Sequence, residues 1–254
     1  MFPYYAISQA GTSLIPVIER ASVYPYLWVF GLFLVGPLFL NFTAILIAAG
    51  AMSEEYEQGT AELLLSKPVR RSDYFPGKFL GGYILFLSIL ALIFLLSIAS
   101  AFTFLGTQND LYIVPGLYLA QAFSSLLFFS LAFMLGELIR RSSLSYIFAS
   151  ATFFSSYIIS AFLGAIYEAT GKELYKTVQT YMPTSPANSL PILYALPKLP
   201  LSSSILSTAL RFFNTSTPVS SISLSIEILL AYTIVAVSIA AAYFHYADIS
   251  RKLS

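Results

Sequence analysis

The residues most able to carry out chemistry are concentrated between Ser53 and Lys78, in the stretch SEEYEQGTAELLLSKPVRRSDYFPGK. This stretch holds five acidic and four basic residues, although only 10% of the whole chain is charged. Most of the carboxylates come first and the cations follow, an order that suits the dipole of a helix. Glu55 and Glu62 are seven residues apart, so a helix places them on one face, and Pro68 would end that helix. The pattern predicts a charged, amphipathic helix suited to passing motion into its neighbours.

Gly59 falls inside this predicted helix, where glycine costs about 1 kcal/mol relative to alanine. We expect it to be tolerated there because a bend or a close backbone approach is useful. The simpler interpretation is a solvated helix that only joins two membrane spans. For an arbitrary membrane protein, that simpler interpretation would be preferred.

Other kinds of chemistry have little support in the sequence. The pairs Gly77-Lys78 and Gly171-Lys172 lack the first glycine and the Ser or Thr of a phosphate-binding loop, so this chain is not expected to bind ATP. The chain has no cysteine and one histidine, which leaves no ligand set for a transition metal. Its net charge of +1 indicates no nucleic-acid partner. No catalytic residue is predicted, and the chain is not expected to be an enzyme.

The elements around the charged stretch are long runs without charge, in a chain that is 57% hydrophobic. A helix needs about 20 apolar residues to cross a hydrocarbon core about 30 Å thick. The runs are apolar all round rather than alternating, which favours helices over the strands of a β-barrel. We therefore predict an all-α fold, a polytopic transmembrane helix bundle with five spans, forming one transmembrane domain over residues 1–254. The predicted spans lie near residues 27–52, 79–105, 113–137, 144–167 and 226–247.

The positions of the charged residues predict the orientation of the bundle in the membrane. Lys and Arg lie in the stretch 53–78, between the third and fourth spans, and after the last span. Short basic loops remain cytoplasmic, so 53–78 is predicted to be a cytoplasmic loop, with the C-terminus on the same side and residues 1–26 outside. Residues 168–224 then form a long outer loop that several prolines interrupt. We expect this loop to be ordered, with short interfacial or re-entrant helices; a flexible surface loop is the alternative.

Several residues in or near the spans suggest individual roles. Gly77 and Gly81 are expected to allow close helix packing, and Glu137 is expected to pair with Arg140 or Arg141. Polar residues within the spans are candidates for lining a transport path, although hydrogen bonding between helices is the preferred role for each of them. These polar residues are Asn41, Thr43, Gln121, Ser124 and Ser125.

The charged stretch resembles the corresponding loop of the ABC-2 type transporter permeases. In that family, acidic residues after a span are followed by Gly-Thr, Glu with leucines, Ser-x-Pro-Val-x-Arg, and Gly-Lys at the next span. Here the same order is carried by Glu55 and Glu57, Gly59-Thr60, Glu62 with Leu63 to Leu65, Ser66-Lys67-Pro68-Val69-Arg70, and Gly77-Lys78. Two weaker likenesses are the segment SLAFMLGELIRRSS at residues 130–143 and the ending with Tyr243-Phe244, Asp248-Ile249 and Arg251.

The resemblance implies a permease subunit of an ATP-driven exporter, in which a separate ATP-binding subunit hydrolyses ATP and drives translocation of a substrate. It implies no cofactor in this chain, with ATP and magnesium held by the partner. It also implies a second permease chain, identical or different, and a multi-pass location in the cell membrane. The residues that it marks for coupling to the ATPase are Glu55, Glu57, Gly59, Thr60, Glu62, Pro68, Arg70 and Lys78.

Members of this family typically have six spans with both termini in the cytoplasm, so the sequence is expected to begin after the first of them; the alternative is that residues 1–26 contain a divergent element. Two other functions are compatible with a five-span bundle. One is a non-transport assembly or anchoring subunit of a larger complex. The other is a transporter driven by an ion gradient, which is disfavoured because the spans carry no charge deep in their apolar runs.

Overall fold

The computed structural model describes residues 24–60, 71–200 and 219–246, and these residues are almost entirely helical, with no strand among them. Helix α1 covers Leu27–Val35 and continues through a π-helical turn, Gly36–Leu40, into α2, Asn41–Glu57. The long helices that follow are α3 (Arg71–Leu105), α4 (Val114–Ile139) and α5 (Ser142–Thr170). Two short helices, α6 (Glu173–Tyr181) and α7 (Thr184–Ala195), precede the last long helix, α8 (Ile222–Tyr246). Residues 1–23, most of the predicted outer N-terminal segment, lie outside the described residues.

Five helical stretches in the described part of the chain are long and apolar enough to cross a membrane. They are Leu38–Glu57, Asp73–Leu105, Leu111–Ile139, Ser142–Thr170 and Ile222–Tyr246. The prediction of an all-α membrane bundle with five spans is therefore confirmed. Two helices, α2 and α3, extend beyond the limits predicted for their spans and into the charged stretch. Side-chain contacts of Glu54, Glu55 and Lys78 stabilise these additional turns.

Helix α4 occupies the centre of the bundle. In its most apolar window 61% of the residues are buried, against 28% in α3 and 22% in both α5 and α8. Helices α2, α5, α7 and α8 pack around α4, and Phe128, Phe129 and Phe133 of α4 lie in the core. Exposed Leu, Ile and Phe side chains cover much of α3 and α5, as expected for helices that face lipid tails.

Small residues bring α2 and α4 into backbone contact. Ala48 and Ala49 of α2 are fully buried. A Cβ atom placed on Gly136 of α4 would lie 2.8 Å from the carbonyl oxygen of Ala49, which is closer than real Cβ contacts. Small residues at such crossings allow helices to pack tightly in a membrane, so Gly136 sets the distance between α2 and α4.

Replacing Gly136 with alanine should destabilise the protein by about 1–3 kcal/mol, because the backbone of α2 has to move to accept the methyl group. The matched control is Gly77→Ala in α3, where an added Cβ meets no atom within 4 Å in the part of the chain that the structure describes. That control should be neutral or slightly stabilising, since alanine is the better helix former. Thermal unfolding in detergent gives the melting temperatures of the two variants, and Gly136→Ala should melt at the lower temperature. Equal melting temperatures would contradict the backbone contact.

Polar side chains within the spans form hydrogen bonds, either to a neighbouring helix or within their own helix. Gln121 Nε2 of α4 donates to Ser125 Oγ at 3.2 Å, and Ser125 Oγ donates to Asn41 Oδ1 of α2 at 2.8 Å. Thr43 donates to a carbonyl one turn earlier at 2.8 Å, and Ser124 is fully buried. The interhelical role preferred for these residues is therefore confirmed for Asn41 and Ser125, whereas Gln121 bonds to Ser125 within α4. Bonds of this kind in membranes contribute about 0.6 kcal/mol each on average.

The predicted outer loop is helical as far as residue 198. Thr184 and Ser185 at the start of α7 contact Ser156 at 3.2 Å and Ser160 at 3.0 Å. Because Ser156 lies midway along α5, the start of α7 sits at the level of the spans. The short helices expected in this loop are present, and the alternative of a flexible surface loop is wrong for these residues. Residues 201–218 lie outside the described residues.

Candidate functional site at the loop end

The charged stretch meets the ends of the long helices at one end of the bundle, which we call the loop end. Here α2 ends, α3 begins, and α4 passes directly into α5. The loop-end cluster is defined as four consecutive residues of α2 and the polar side chains that contact them. Its members are Glu54, Glu55, Tyr56, Glu57, Tyr74, Lys78, Glu137, Arg140, Ser142 and Tyr146.

Glu54 and Glu55 connect α2 to two different helices. The hydroxyl of Tyr146 on α5 donates to Glu54 Oε1 at 2.6 Å. Glu55 accepts hydrogen bonds from the hydroxyl of Tyr74 and from the ammonium group of Lys78, with which it also forms an ion pair. Tyr74 and Lys78 are four residues apart on α3, so one face of that helix presents both donors to the same carboxylate.

Tyr56 connects α2 to the centre of the bundle. Its hydroxyl lies 3.0 and 2.8 Å from the two carboxylate oxygens of Glu137 on α4, and Glu137 is fully buried. Arg140 Nη2 contacts the same carboxylate at 3.1 Å, and its guanidinium lies 4.7 Å from the ring centre of Tyr56 and 5.1 Å from that of Tyr243 on α8. A buried carboxylate requires such partners. The predicted pairing of Glu137 with Arg140 is confirmed.

Glu57 fixes the beginning of α5. Its Oε2 atom accepts a hydrogen bond from the backbone N–H of Ser142 at 3.0 Å and another from the hydroxyl of Ser142. Ser142 is the first residue of α5. The carboxylate therefore satisfies an N–H group that has no partner within the helix, and it stands at the positive end of the helix dipole.

Aromatic packing adds α8 to the same end of the bundle. Phe244 of α8 stacks on Tyr74 with ring centres 6.0 Å apart and lies 5.5 Å from Phe75. Phe75 meets Phe133 of α4 edge to face at 5.4 Å. Together with the polar contacts, these rings connect all five long helices at the loop end.

Gly59 ends α2 rather than continuing it. Its backbone φ is +71°, and no atom of the described residues lies within 4 Å of the position of an added Cβ. The left-handed conformation after a helix end, and not a close backbone approach, is therefore what favours glycine here. Of the two reasons expected for a glycine at this position, the bend therefore applies, and α2 ends at Glu57 instead of continuing through Gly59. Thr60 follows the turn, and its hydroxyl donates to the carbonyl of Glu55 at 3.3 Å.

Five of the eight residues marked for coupling are described, and all five lie at the loop end. Glu55 and Lys78 bind each other, Glu57 binds α5, and Gly59 and Thr60 form the turn after α2. The other three, Glu62, Pro68 and Arg70, lie outside the described residues. The sequence did not reveal the roles of Tyr56, Tyr74, Ser142 and Tyr146. Tyr56, Ser142 and Tyr146 each bind a residue that lies 81 to 92 positions away in the sequence, and no local pattern indicates such pairs.

Helices α2 and α3 leave a cleft of about 980 Å³ beside the cluster. Glycines line part of it, and a Cβ on Gly77 or Gly81 would meet no atom within 4 Å among residues 24–60, 71–200 and 219–246. The expectation that Gly77 and Gly81 allow close packing is therefore wrong. Gly82 has that role instead, since its Cβ would lie 3.2 Å from Phe129 and 3.7 Å from Ala51.

Five apolar spans, which contacts of the described residues in the stretch 53–78 connect at one end, define a multi-pass membrane protein. The chain belongs to the family described as ABC-2 family transporter protein, whose model matches residues 8–249.

One similar protein comes from Bacillus subtilis (strain 168), where it carries the name Uncharacterized protein YhcI. It is 27% identical to this chain over 143 residues. The matched region covers 49% of this chain and 46% of the Bacillus subtilis protein, which is about half of each.

Proposed function

We propose that this chain is the permease subunit of an ATP-driven exporter, in which a separate ABC ATPase hydrolyses ATP and moves the loop between α2 and α3. The observation that carries the proposal is the run Glu54 to Glu57. Its four consecutive side chains bind α5, α3, α4 and again α5. A displacement of this run therefore acts on all of these helices at once.

The geometry of the loop end suits the transmission of rigid-body motion. The run lies at the last turn of α2, and the loop begins directly after it. Packed helices move as discrete bodies rather than deforming continuously. The ion pair between Glu55 and Lys78 joins α2 to α3, while the buried Glu137 joins α2 to α4 through Tyr56. Both connections resist local slipping of α2 against its neighbours.

The translocation path is proposed to lie between this chain and a second permease chain, identical or different. Gln121 donates to Ser125 within α4, and Ser125 donates to Asn41 of α2, so these polar groups of the spans are occupied within the bundle. This arrangement favours a path at the contact of two bundles over one through a single bundle. ATP and magnesium are proposed to bind to the partner ATPase.

The loop end is proposed to face the cytoplasm of a cell-membrane protein. Lys78, Arg140 and Arg141 lie at this end, and Arg251 and Lys252 follow α8. Short basic segments stay on the cytoplasmic side. This orientation places the C-terminus in the cytoplasm and gives an ATPase access to the loop.

Co-expression with a candidate ABC ATPase from the same organism tests this function. We expect the two chains to co-purify and the complex to hydrolyse ATP. The chain has no cysteine, so a single cysteine at the exposed Thr107 reports motion at the opposite end of the bundle. Its rate of maleimide labelling should change when ATP and vanadate trap the complex. An assembly or anchoring subunit would co-purify with no nucleotide-dependent change in labelling, and that outcome would overturn the proposal.

A further inference from the structure

A small cavity lies inside the bundle between α1, α4 and α7, far from the loop-end cluster. Its volume is about 10 Å³, which is the room that one water molecule requires. On α4 it begins at Gln121, 16 residues before Glu137 and therefore about 24 Å from it along the helix. The described residues that line it are Phe33, Gln121, Ala187, Asn188, Pro191 and Ile192.

Two oxygen atoms of α7 at this cavity require a hydrogen-bond donor. The side-chain oxygen of Asn188 is shielded from the surface, and no group in the described part of the chain donates to it. Pro191 lies inside the same helix and has no N–H to give to the carbonyl of Ala187 one turn earlier. Ala187 is itself buried, at 1% exposure. Because buried acceptors are nearly always satisfied in proteins, a donor from outside α7 is expected here.

The wall on α4 carries an amide group that is held in a fixed place. Gln121 is 5% exposed, and its Nε2 atom donates to Ser125 Oγ at 3.2 Å. An amide nitrogen has two N–H groups, and this bond uses one of them. Gly36, in the π-helical turn before α2, leaves room for the amide, since an added Cβ would lie 3.1 Å from Gln121 Oε1. The cavity therefore has acceptors on α7 and an amide donor on α4.

We propose that this cavity binds one ordered water molecule, which joins α7 to α4. Its two O–H groups donate to the carbonyl of Ala187 and to Asn188 Oδ1, and its oxygen accepts a hydrogen bond from Gln121 Nε2. Three hydrogen bonds are the usual number for a buried water. The water takes the place of the N–H group that Pro191 lacks, and it extends the hydrogen bonds of α2 and α4 into α7. A neutral occupant suits the uncharged side chains of the described lining, because burial of an ion without an opposite charge is far more costly.

Radiolytic footprinting of the full chain in detergent tests this site. X-rays convert bound water into hydroxyl radicals, which oxidise the side chains beside it, and mass spectrometry identifies the oxidised residues. Phe33 lines the cavity and is 4% exposed, whereas Phe94 on α3 is equally buried, at 3% exposure, and does not line it. We expect oxidation of Phe33 to be much faster than oxidation of Phe94. Equal rates for the two rings would overturn the proposal.

Two variants make the same substitution inside and outside the cavity. Asn188→Leu removes the side-chain oxygen and fills the space, so the oxidation rate of Phe33 should fall to that of Phe94. Asn109→Leu lies at an exposed position between α3 and α4 and should leave the rate for Phe33 at its native value. If the melting temperature shows that Asn188→Leu is unfolded, Asn188→Val removes the same oxygen with a smaller side chain. A native rate for Phe33 in the folded variant would contradict the site.

The role of the free carbonyl has its own test. Pro191→Ala returns an N–H group to the carbonyl of Ala187, which matters most when the water is gone. Pro191→Ala should therefore raise the melting temperature of Asn188→Leu by more than it raises that of the native protein. The difference between the two increases measures the coupling of the two positions. Equal increases would show that Asn188 and the carbonyl share no water.

A monovalent cation is another small occupant of cavities lined by carbonyl oxygens, and the same variants distinguish it from water. A cation would give the native protein a higher melting temperature in sodium or potassium chloride than in choline chloride, and Asn188→Leu would lose that difference. This result would overturn the choice of water. The experiments require no ATPase, so their failure leaves the coupling proposal untouched, and a failure of coupling leaves this site untouched.

Discussion

Replacing Glu137 with alanine should lower the free energy of unfolding by about 3 kcal/mol, because the change removes the buried carboxylate that Tyr56 and Arg140 share. Glu137 is fully buried, and its carboxylate accepts hydrogen bonds from Tyr56 and Arg140. Removing one member of a buried charged pair is far more damaging than removing an exposed one. For a chain of this size the loss corresponds to a fall of roughly 6–12 °C in melting temperature.

The controls for Glu137 separate charge from shape. Glu137→Gln keeps an acceptor for Tyr56 and Arg140 but loses the charge, so its melting temperature should lie between those of the native protein and Glu137→Ala. Glu168→Ala removes an exposed carboxylate near the end of α5 and should have little effect. If Glu137→Ala and Glu168→Ala melted at the same temperature, the buried cluster around Glu137 would not stabilise the bundle as described.

The second large effect is expected on coupling rather than on stability. The side chain of Glu55 is 20% exposed and that of Lys78 is 33% exposed, so their ion pair contributes only about 0–1 kcal/mol to folding. The same pair nevertheless joins the last turn of α2 to α3 at the point where the loop begins. Glu55→Ala together with Glu62→Ala should therefore leave a folded chain that still binds its ATPase but no longer passes motion to the spans.

Glu168→Ala serves again as the carboxylate control and should leave coupling unchanged. Co-purification and the rate of ATP hydrolysis should stay close to native in the double variant, because neither depends on the contact between α2 and α3. A double variant that fails to bind the ATPase would place these two residues in the docking surface itself. That result would contradict a role in transmission.

The spans were predictable because their signal is local. Five runs of about 20 or more apolar residues can only be membrane helices, and the structure has five such stretches among its described residues. The central position of α4 was not predictable in the same way. Its run is no more apolar than that of α3, and burial of α4 follows from how the helices pack around it.

The candidate site was predictable in part. The order of residues from Glu55 to Lys78 pointed to the loop end, and Glu137 with Arg140 was expected from a spacing of three residues. The partners of Glu54, Tyr56 and Glu57 could not be predicted, because each partner lies more than 80 residues further along the chain. Such contacts depend on the packing of α4 and α5 against α2.

Glycine was the residue type interpreted least well from the sequence. Gly59 was expected inside a helix and instead ends one, with a positive φ. Gly77 and Gly81 were expected at a close helix crossing and instead line an open cleft, while Gly82 and Gly136 lie at the close contacts. A glycine has no side chain to indicate its surroundings, so its role becomes clear only when its neighbours are placed.

The most direct test asks whether ATP hydrolysis moves the spans through the loop end. It measures the rate of maleimide labelling of a cysteine at position 107, with and without ATP and vanadate. Thr107 lies between α3 and α4, at the end of the bundle opposite the cluster. In the native sequence we predict a nucleotide-dependent change in this rate, and in Glu55→Ala with Glu62→Ala we predict that the change is lost while ATP hydrolysis continues. A double variant that hydrolyses ATP and still shows the full change in labelling would contradict the account.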